Sequence, residues 1–392
     1  MQHSSALAST PQLPVLAFVW DNFGPLHDDR VAATARLLAE RAEVVGVEIN
    51  GRSGVYSWLN AATNAFRKVT LLPDTDFGST TDRVLFARSL SSLRQLGATH
   101  VFLCHYERPG IAALAYALRA SGRKVFVMGC SKFDDHPRSA LREALKLPFL
   151  WPYHGGLVGS DKTREFLAFL GRRGMPMELG YNTVSVDRIR SLARRGGTSS
   201  AEADEAEAAF DARDFVILAR LVPKKNLATS LSAYALYRLQ NPASGRKLRI
   251  CGDGPLEGEL RAQARALGVE QDVVFHGFLQ SEQMAPLLAR AAALLLVSRE
   301  EQFGNVVPEA LALGIPLILS DACGARYELL RSGVNGYLVE PDNVAGIADA
   351  MGRVVATHDG WQRLREQAHA LAHLGDVSRF AEAAQRLVFG QV

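Results

Sequence analysis

The sequence predicts an α/β protein built from two doubly wound, Rossmann-like domains facing across a cleft. Three observations carry this. A chain of 392 residues is too long for one ordinary hydrophobic core and suits two. Short apolar runs alternate with helix-like stretches, the pattern of a parallel sheet covered on both faces. That alternation is broken once, by RRGGTSSAEADEAEAAF at 194–210, and then restarts.

The first series begins with PVLAFVW (14–20), followed by a helical pattern at 28–42. AEVVGVEI (42–49), KVTLL (68–72), a helical stretch at 80–96 and THVFLC (99–104) come next. GIAALAYALRASG reads as a helix leading to KVFVMGC (124–130). The glycines, serines and charges of 194–210 read as a connection. The second series is DFVILARL (214–221), KLRICGDG (247–254), DVVFHGFL (272–279), AALLLVS (292–298) and IPLILSD (315–321). The last stretch reads as two helices broken near Gly375. The expected division is 1–195, a linker at 196–212, 213–374, and a terminal helix at 375–392.

Composition excludes several classes. Hydrophobic residues make up 48% and charged residues 22%, as in a globular protein. No apolar run approaches the ~18 residues that span a bilayer. The start, MQHSSALASTPQ, lacks the basic residues of a secretion signal. Cys104, Cys130, Cys251 and Cys323 stand singly, as free thiols in a reducing cytoplasm do. The net charge of +3 is uneven: residues 1–196 hold 25 Lys/Arg against 17 Asp/Glu, and the remainder 19 against 24. Clusters at Arg172–Arg173 and Arg188, Arg190, Arg194 and Arg195 suit an anionic acceptor or peripheral contact with an anionic membrane face, or are simply solvated helix faces. Basic residues without interleaved aromatics give no support for nucleic-acid binding.

Open α/β sheets bind ligands beyond the carboxyl ends of their strands, so residues just past strands are the candidates. SREEQFGNVVPEALALG (298–314) places Glu301 on a loop after a strand and Glu309 in the first turn of a helix begun near Pro308. Eight residues apart, they would be ~12 Å apart along a helix. A retaining glycosidase pair needs ~5–5.5 Å. The spacing favours a clamp on one long polar ligand over an acid/base pair. Backbone N–H groups around Gly304 to Val306 suit an anion between them. A nucleotide sugar has that sequence of hydroxyls, phosphate and hydroxyls. Arg220, Lys224 and Lys225 follow another strand, where cations suit a diphosphate and the charge that builds on it as it departs. Without such a ligand these are a surface loop and a helix-start carboxylate.

Gly252-Asp253-Gly254-Pro255 is a tight turn and not a dinucleotide fingerprint, since Gly252, Gly254 and Gly258 give G-x-G-x3-G. Gly277, Phe278 and Leu279 could line a nucleobase slot. In WDNFGPLHDDR (20–30), His27 and Arg30 sit one turn apart and could point into the cleft.

Arg220 with Lys225-Asn226, then GDGP, HGFL and Glu301-x7-Glu309 within EQFGNVVPEALALG, resemble in this order the donor domain of glycosyltransferase family 4 (glycosyl transferases group 1). The resemblance is specific over 214–345. It implies the GT-B fold, with the last helix crossing back to the first domain, and a retaining, metal-independent transfer from a nucleoside-diphosphate sugar, UDP- or GDP-linked, needing no cofactor. The acceptor would be a saccharide, glycolipid or small molecule, and the setting cell-surface polysaccharide assembly. By resemblance Arg220 and Lys225 bind the diphosphate, Glu301 the sugar and Glu309 the ribose. Phe303, Gly304, Asn305 and Val306 form the loop approaching sugar and phosphate. Gly24 matches a glycine-rich donor loop, with Pro25 departing from it. The family's histidine just past a later strand is absent: Cys130 follows VFVMG, and Ser131, Asp134 or His105 are the substitutes. The rival readings are a metal-dependent transferase using Asp74-Thr75-Asp76, read here as a surface turn; a GT-B-fold sugar-nucleotide epimerase with the same clamp; and a non-catalytic binding module.

Overall fold

The computed structural model describes residues 13–52, 65–76, 78–135, 138–195 and 210–390. Most of the connection expected at 196–212 lies outside them, and Phe210–Ala212 form a 3₁₀ turn.

The first sheet contains β1 (Val15–Trp20), β2 (Glu43–Arg52), β3 (Arg67–Asp76), β4 (His100–Leu103), β5 (Lys124–Gly129), β6 (Gly155–Val158) and β7 (Met177–Leu179). The second contains β8 (Asp214–Leu218), β9 (Leu248–Cys251), β10 (Val273–Gly277), β11 (Ala291–Leu296), β12 (Leu317–Ser320) and β13 (Gly336–Val339). Their orders are β3-β2-β1-β4-β5-β6-β7 and β10-β9-β8-β11-β12-β13, and every recorded pairing is parallel. Both are doubly wound. Strand order reverses beside β1 in one sheet and beside β8 in the other, so the ligand-binding crevices lie at β1/β4 and β8/β11.

Sequence periodicity locates ten of these strands and does not single out β6, β7 or β13. β1 and β11 are apolar throughout, β8 is apolar after Asp214, and all three are buried along their length, as central parallel strands are.

The final helix, Val377–Phe389, returns to the first sheet as expected. Phe380, Ala383 and Ala384 join a core cluster with Leu16 and Phe18. Arg386 Nε donates to Glu178 Oε2 at 2.8 Å. The chain crosses between the sheets at two neighbouring places. Val184 N donates to the Gly375 carbonyl at 2.9 Å, and Val377 N to the Val184 carbonyl at 3.1 Å. Beyond the first crossing, the helix Val186–Arg195 buries Val186 and Ile189 among residues of the second domain, including Leu294 of β11 and Leu311 of the helix Val306–Ala312.

This packing corrects part of the basic-surface expectation. Arg188 pairs with Asp29 at 2.8 Å, and Arg190 Nε donates to the Ala312 carbonyl at 2.9 Å. Both hold one part of the fold to another and do not form an outward charge cluster. Arg172 likewise donates to the Tyr153 carbonyl at 2.7 Å.

Candidate functional site

Both crevices open onto one cavity of about 600 Å³. From the second domain Arg220, Lys225, Glu301, Phe303, Gly304, Asn305, Val306 and Glu309 line it, and from the first Gly24, His27 and His105. These are eleven of the residues expected at the site.

Two loops of the second domain are tied together locally. Past β8 the chain makes a 3₁₀ turn, Pro223–Lys225, then enters the left-handed region at Asn226 with φ of 57° before the helix Leu227–Gln240. Asparagine tolerates that conformation better than most residues. Asn226 Nδ2 donates to the Val297 and Pro341 carbonyls at 3.2 and 2.6 Å. The Lys224 carbonyl accepts from Arg299 N at 2.9 Å. The turn after β8 is thereby fastened to the loop after β11, and Lys225 Nζ forms an ion pair with Glu301.

Gly304 has φ of 98°, and a Cβ there would stand 2.7 Å from Leu296 Cδ2, so the loop requires glycine. Beyond it the helix Val306–Ala312 begins, with Gly314 past its end at φ of 68°. Glu309 lies in its first turn and is only 7% exposed. Burial pushes its pKa up to about 7, with Arg188 opposing and Asp29 adding to the rise.

On the facing side, Gly24 caps the helix Pro25–Leu37, and its N–H donates to His27 Nδ1 at 2.9 Å. The His27 ring packs near Trp20 and Phe23, with centroids 4.8 and 5.8 Å away. Burial, then the charges of Arg30 and Lys68, hold His27 well below its ordinary pKa, so it is a neutral acceptor committed to its own helix start. His105 stands past β4 with φ of 55°. Its Nε2 lies 3.1 Å from Asp21 Oδ2 and its Nδ1 3.6 Å from Glu107 Oε1. Burial lowers its pKa, but the Glu107 hydrogen bond and the two carboxylates outweigh that and raise it. Asp21 shifts upward because burial outweighs His105 and Arg108.

Several expected residues lie elsewhere. Arg30 is 2% exposed and outside the cavity wall; its Nε donates to the Thr183 carbonyl at 2.9 Å, and its guanidinium lies 5.4 Å from the Tyr181 ring centroid. Burial of the guanidinium's stem between two segments, not access to the cleft, explains an arginine one turn after His27. Asp134 faces solvent and pairs with Lys132 at 3.1 Å. Its neighbour Asp135 instead lines the cavity, its Oδ2 accepting from Lys132 N at 2.7 Å. Ser131 is outside the wall and accepts from Gln302 Nε2 at 3.5 Å. Gly277, which ends β10, and Phe278 and Leu279 after it lie outside the wall, where Ser281 of the next helix takes part. Cys130, in the place where a histidine is looked for, does line the cavity; burial pushes its thiol up to about 12, so it is neutral.

Asp21, Asp135, Tyr181 and Asn182 line the cavity without having been singled out. Asn182 Nδ2 reaches across to Asn305 Oδ1 at 3.0 Å. Asp21 directly follows β1, so its strand-end position was the available signal. Asp74, Thr75 and Asp76 close the edge strand β3 and do not form the surface turn expected; Asp74 is exposed, pairs with Arg52 at 3.5 Å, and none of the three lines the cavity. Among the described residues no group of three His, Cys, Asp or Glu could hold a metal ion, and no helix is long and apolar enough to cross a membrane.

The family described as Glycosyl transferases group 1 matches residues 200–370. The lipopolysaccharide core biosynthesis glycosyltransferase LpsE of Rhizobium meliloti is 32% identical over 171 residues, covering 44% of this chain and 47% of the relative. The lipopolysaccharide 1,6-galactosyltransferase of Escherichia coli is 31% identical over 112 residues, 28% of this chain and 31% of the relative. An exopolysaccharide phosphotransferase of Streptomyces coelicolor is 34% identical over 158 residues, 40% of this chain and 16% of the relative. The alignments thus span less than half the length of these relatives. Among solved structures, HepE of Anabaena in complex with UDP superposes with a TM-score of 0.71 at 17% identity, covering 97% of this chain and 100% of that one. The lipopolysaccharide outer core galactosyltransferase WaaB gives 0.68 at 15% identity, covering 96% and 100%. The fold is therefore the GT-B arrangement of two Rossmann-like domains, and residues 200–370 match the glycosyl transferases group 1 family.

Proposed function

We propose that the protein is a retaining, metal-independent glycosyltransferase of family 4. It moves a hexose from a UDP- or GDP-sugar to an acceptor hydroxyl in cell-surface polysaccharide or lipopolysaccharide assembly, at the cytoplasmic side. The observation that carries this is the convergence of Arg220, Lys225, Glu301 and Glu309 on one cavity between the two sheets. Cations from the β8 loop meet carboxylates from the β11 loop there, as a diphosphate flanked by hydroxyl-bearing rings requires.

In this reading Arg220 and Lys225 take the diphosphate, Glu301 the sugar hydroxyls and Glu309 the ribose hydroxyls. The Phe303–Val306 loop follows the donor. The bond from the anomeric carbon to the phosphate oxygen breaks, and the nucleoside diphosphate leaves with the electron pair. The acceptor oxygen attacks the same face, and its proton passes to the departing phosphate. Arg220 and Lys225 stabilise the charge gathered in that transition state. The first sheet, with Gly24, His27 and His105, carries the acceptor side, and the helix Val377–Phe389 belongs to it.

HepE has been solved with UDP, with UDP and glucose, and with UDP-glucose, so a UDP-hexose is the first donor to test. The relatives named above are transferases, which leaves the epimerase reading without a supporting observation. A thermal-shift screen of UDP-, GDP- and ADP-sugars in EDTA should show one stabilising donor by mass action. The product's anomeric configuration, read by NMR, should match that donor's. Inversion, or no shift with any nucleotide sugar, would overturn the proposal.

A further inference from the structure

The exposed large aromatic side chains among the described residues, Tyr116, Phe133, Trp151 and Phe169, all belong to one region of the first domain. Leu141, Leu145 and Leu147 are exposed in the same region, Leu141 at 74% and Leu145 at 65%. Single exposed apolar residues are ordinary, but a contiguous group marks an interaction site.

The group is contiguous. The rings of Phe133 and Phe169 meet edge to face at 5.3 Å, and Tyr116 stacks on Trp151 at 6.0 Å. Leu147 Cδ2 lies 3.2 Å from where a Cβ on Gly171 would stand, two residues from Phe169. Two short helices, Ala140–Ala144 and Leu147–Leu150, carry the leucines between β5 and β6. Leu141 and Leu145, four residues apart, share one side.

Charge identifies the occupant. Residues 132–173 hold eight Lys/Arg against five Asp/Glu, of which Asp134 and Asp135 pair with Lys132 at 3.1 and 3.0 Å. The other three are engaged locally too: buried Glu143 by Lys146 at 2.9 Å and Arg138 at 3.3 Å, Asp161 by Arg164 at 2.7 Å, and Glu165 by Lys162 at 2.6 Å. Arg142 and Arg173 are exposed beside the leucines and Phe169, and the Arg119 guanidinium lies 4.9 Å from the Trp151 ring centroid. Amphipathic segments with leucine and tryptophan on one side and arginine and lysine around them rest in the headgroup region of an anionic bilayer.

We propose that the face formed by Phe133, Leu141, Leu145, Leu147, Trp151 and Phe169 docks the protein on an anionic membrane surface. The 3₁₀ turn Phe133–Asp135 joins this face to the cleft, since Phe133 stands on the face and Asp135 lines the cavity. Docking sets the cleft beside the headgroups, where a hydroxyl of a lipid-linked saccharide is presented; this last step rests on the transferase reading.

The test is co-sedimentation of the full chain with phosphatidylcholine vesicles containing phosphatidylglycerol, against phosphatidylcholine alone. Binding is expected to the anionic vesicles and to weaken with added salt. Leu141→Glu/Leu145→Glu/Trp151→Glu should lower it by about tenfold or more, and Arg142→Glu/Arg173→Glu should lower it also. All five side chains are exposed, so the melting temperature and the thermal shift with UDP should be unchanged. A lost UDP shift in the wild-type chain would count against the donor reading and leave the docking face standing. Failure of the wild-type chain to bind anionic vesicles, or undiminished binding by the triple variant, would overturn the face. So would a concentration-dependent dimer abolished by the same three substitutions, which would assign the face to a second copy.

Discussion

Lys225 and Glu301 are ion-paired across the floor of the cleft, one from the turn after β8 and the other from the loop after β11. Both side chains are mostly buried, at 14% and 13% exposure. In the proposed reaction a diphosphate takes over the lysine while sugar hydroxyls take over the glutamate. The pair thus keeps two site charges satisfied until a donor replaces each partner.

Lys225→Ala should lower turnover by ~10²–10³, the usual cost of losing one group that stabilises developing charge. The far-ultraviolet circular dichroism spectrum should stay as in the parent. Release of nucleoside diphosphate under saturating donor is the measurement, and near-parental turnover would remove Lys225 from the leaving-group role.

Glu309 gives a pH signature. Its pKa is about 7 in the folded chain against an ordinary value of 4.5. Between those values the folded state holds a proton the unfolded state has lost. The stability from this group is complete below the lower value and disappears as pH rises through about 7. The loss is on the order of 3 kcal/mol. Denaturant melts of Glu309→Gln from pH 4.5 to 8 should show a flatter decline than the parent. If ribose hydroxyls donate to the carboxylate, UDP affinity should rise with pH more steeply in the parent than in Glu309→Gln, by calorimetry.

Gly252→Ala should destabilise the second domain by more than about 3 kcal/mol. Gly252 has φ of 141°, and a Cβ would stand 1.9 Å from the Ala219 carbonyl oxygen. The clash is with backbone, directly before Arg220, so donor binding should weaken along with stability. Chemical denaturation and UDP titration measure the two effects. A parental midpoint would show that the two turns are not packed as described.

Phe380→Ala should cost about 3–5 kcal/mol. The ring is fully buried and lies 5.4 Å from Phe18, so its loss opens a cavity in the first domain although the residue is near the chain's end. Protease sensitivity should rise at β1 and β2. Cleavage confined to the second domain would contradict the packing.

Legibility followed the physics of each element. The second-domain loops are local devices in which strand, turn and helix start are contiguous, so Arg220, Lys225, Glu301 and Glu309 could be read as strand-end residues. The first domain's contribution is assembled over long distances, and position alone separates its residues poorly. Arg30 and His27 share a helix turn, yet one is committed to Thr183 and the other faces the cavity. Asp134 and Asp135 are adjacent, and the 3₁₀ turn sends only the second inward. β6 begins with two glycines and β7 has three residues, so neither offers a long β-branched run to detect. β13 is short and only partly buried.

The return of the last helix to the first sheet sets an order of events during synthesis. Domains usually close as soon as their own residues have emerged from the ribosome. Here Leu16 and Phe18 wait for Phe380, Ala383 and Ala384. β1 stays incompletely covered until the helix Val377–Phe389 has been made, while the second domain can finish first. The nascent first sheet therefore keeps apolar surface exposed until that helix docks.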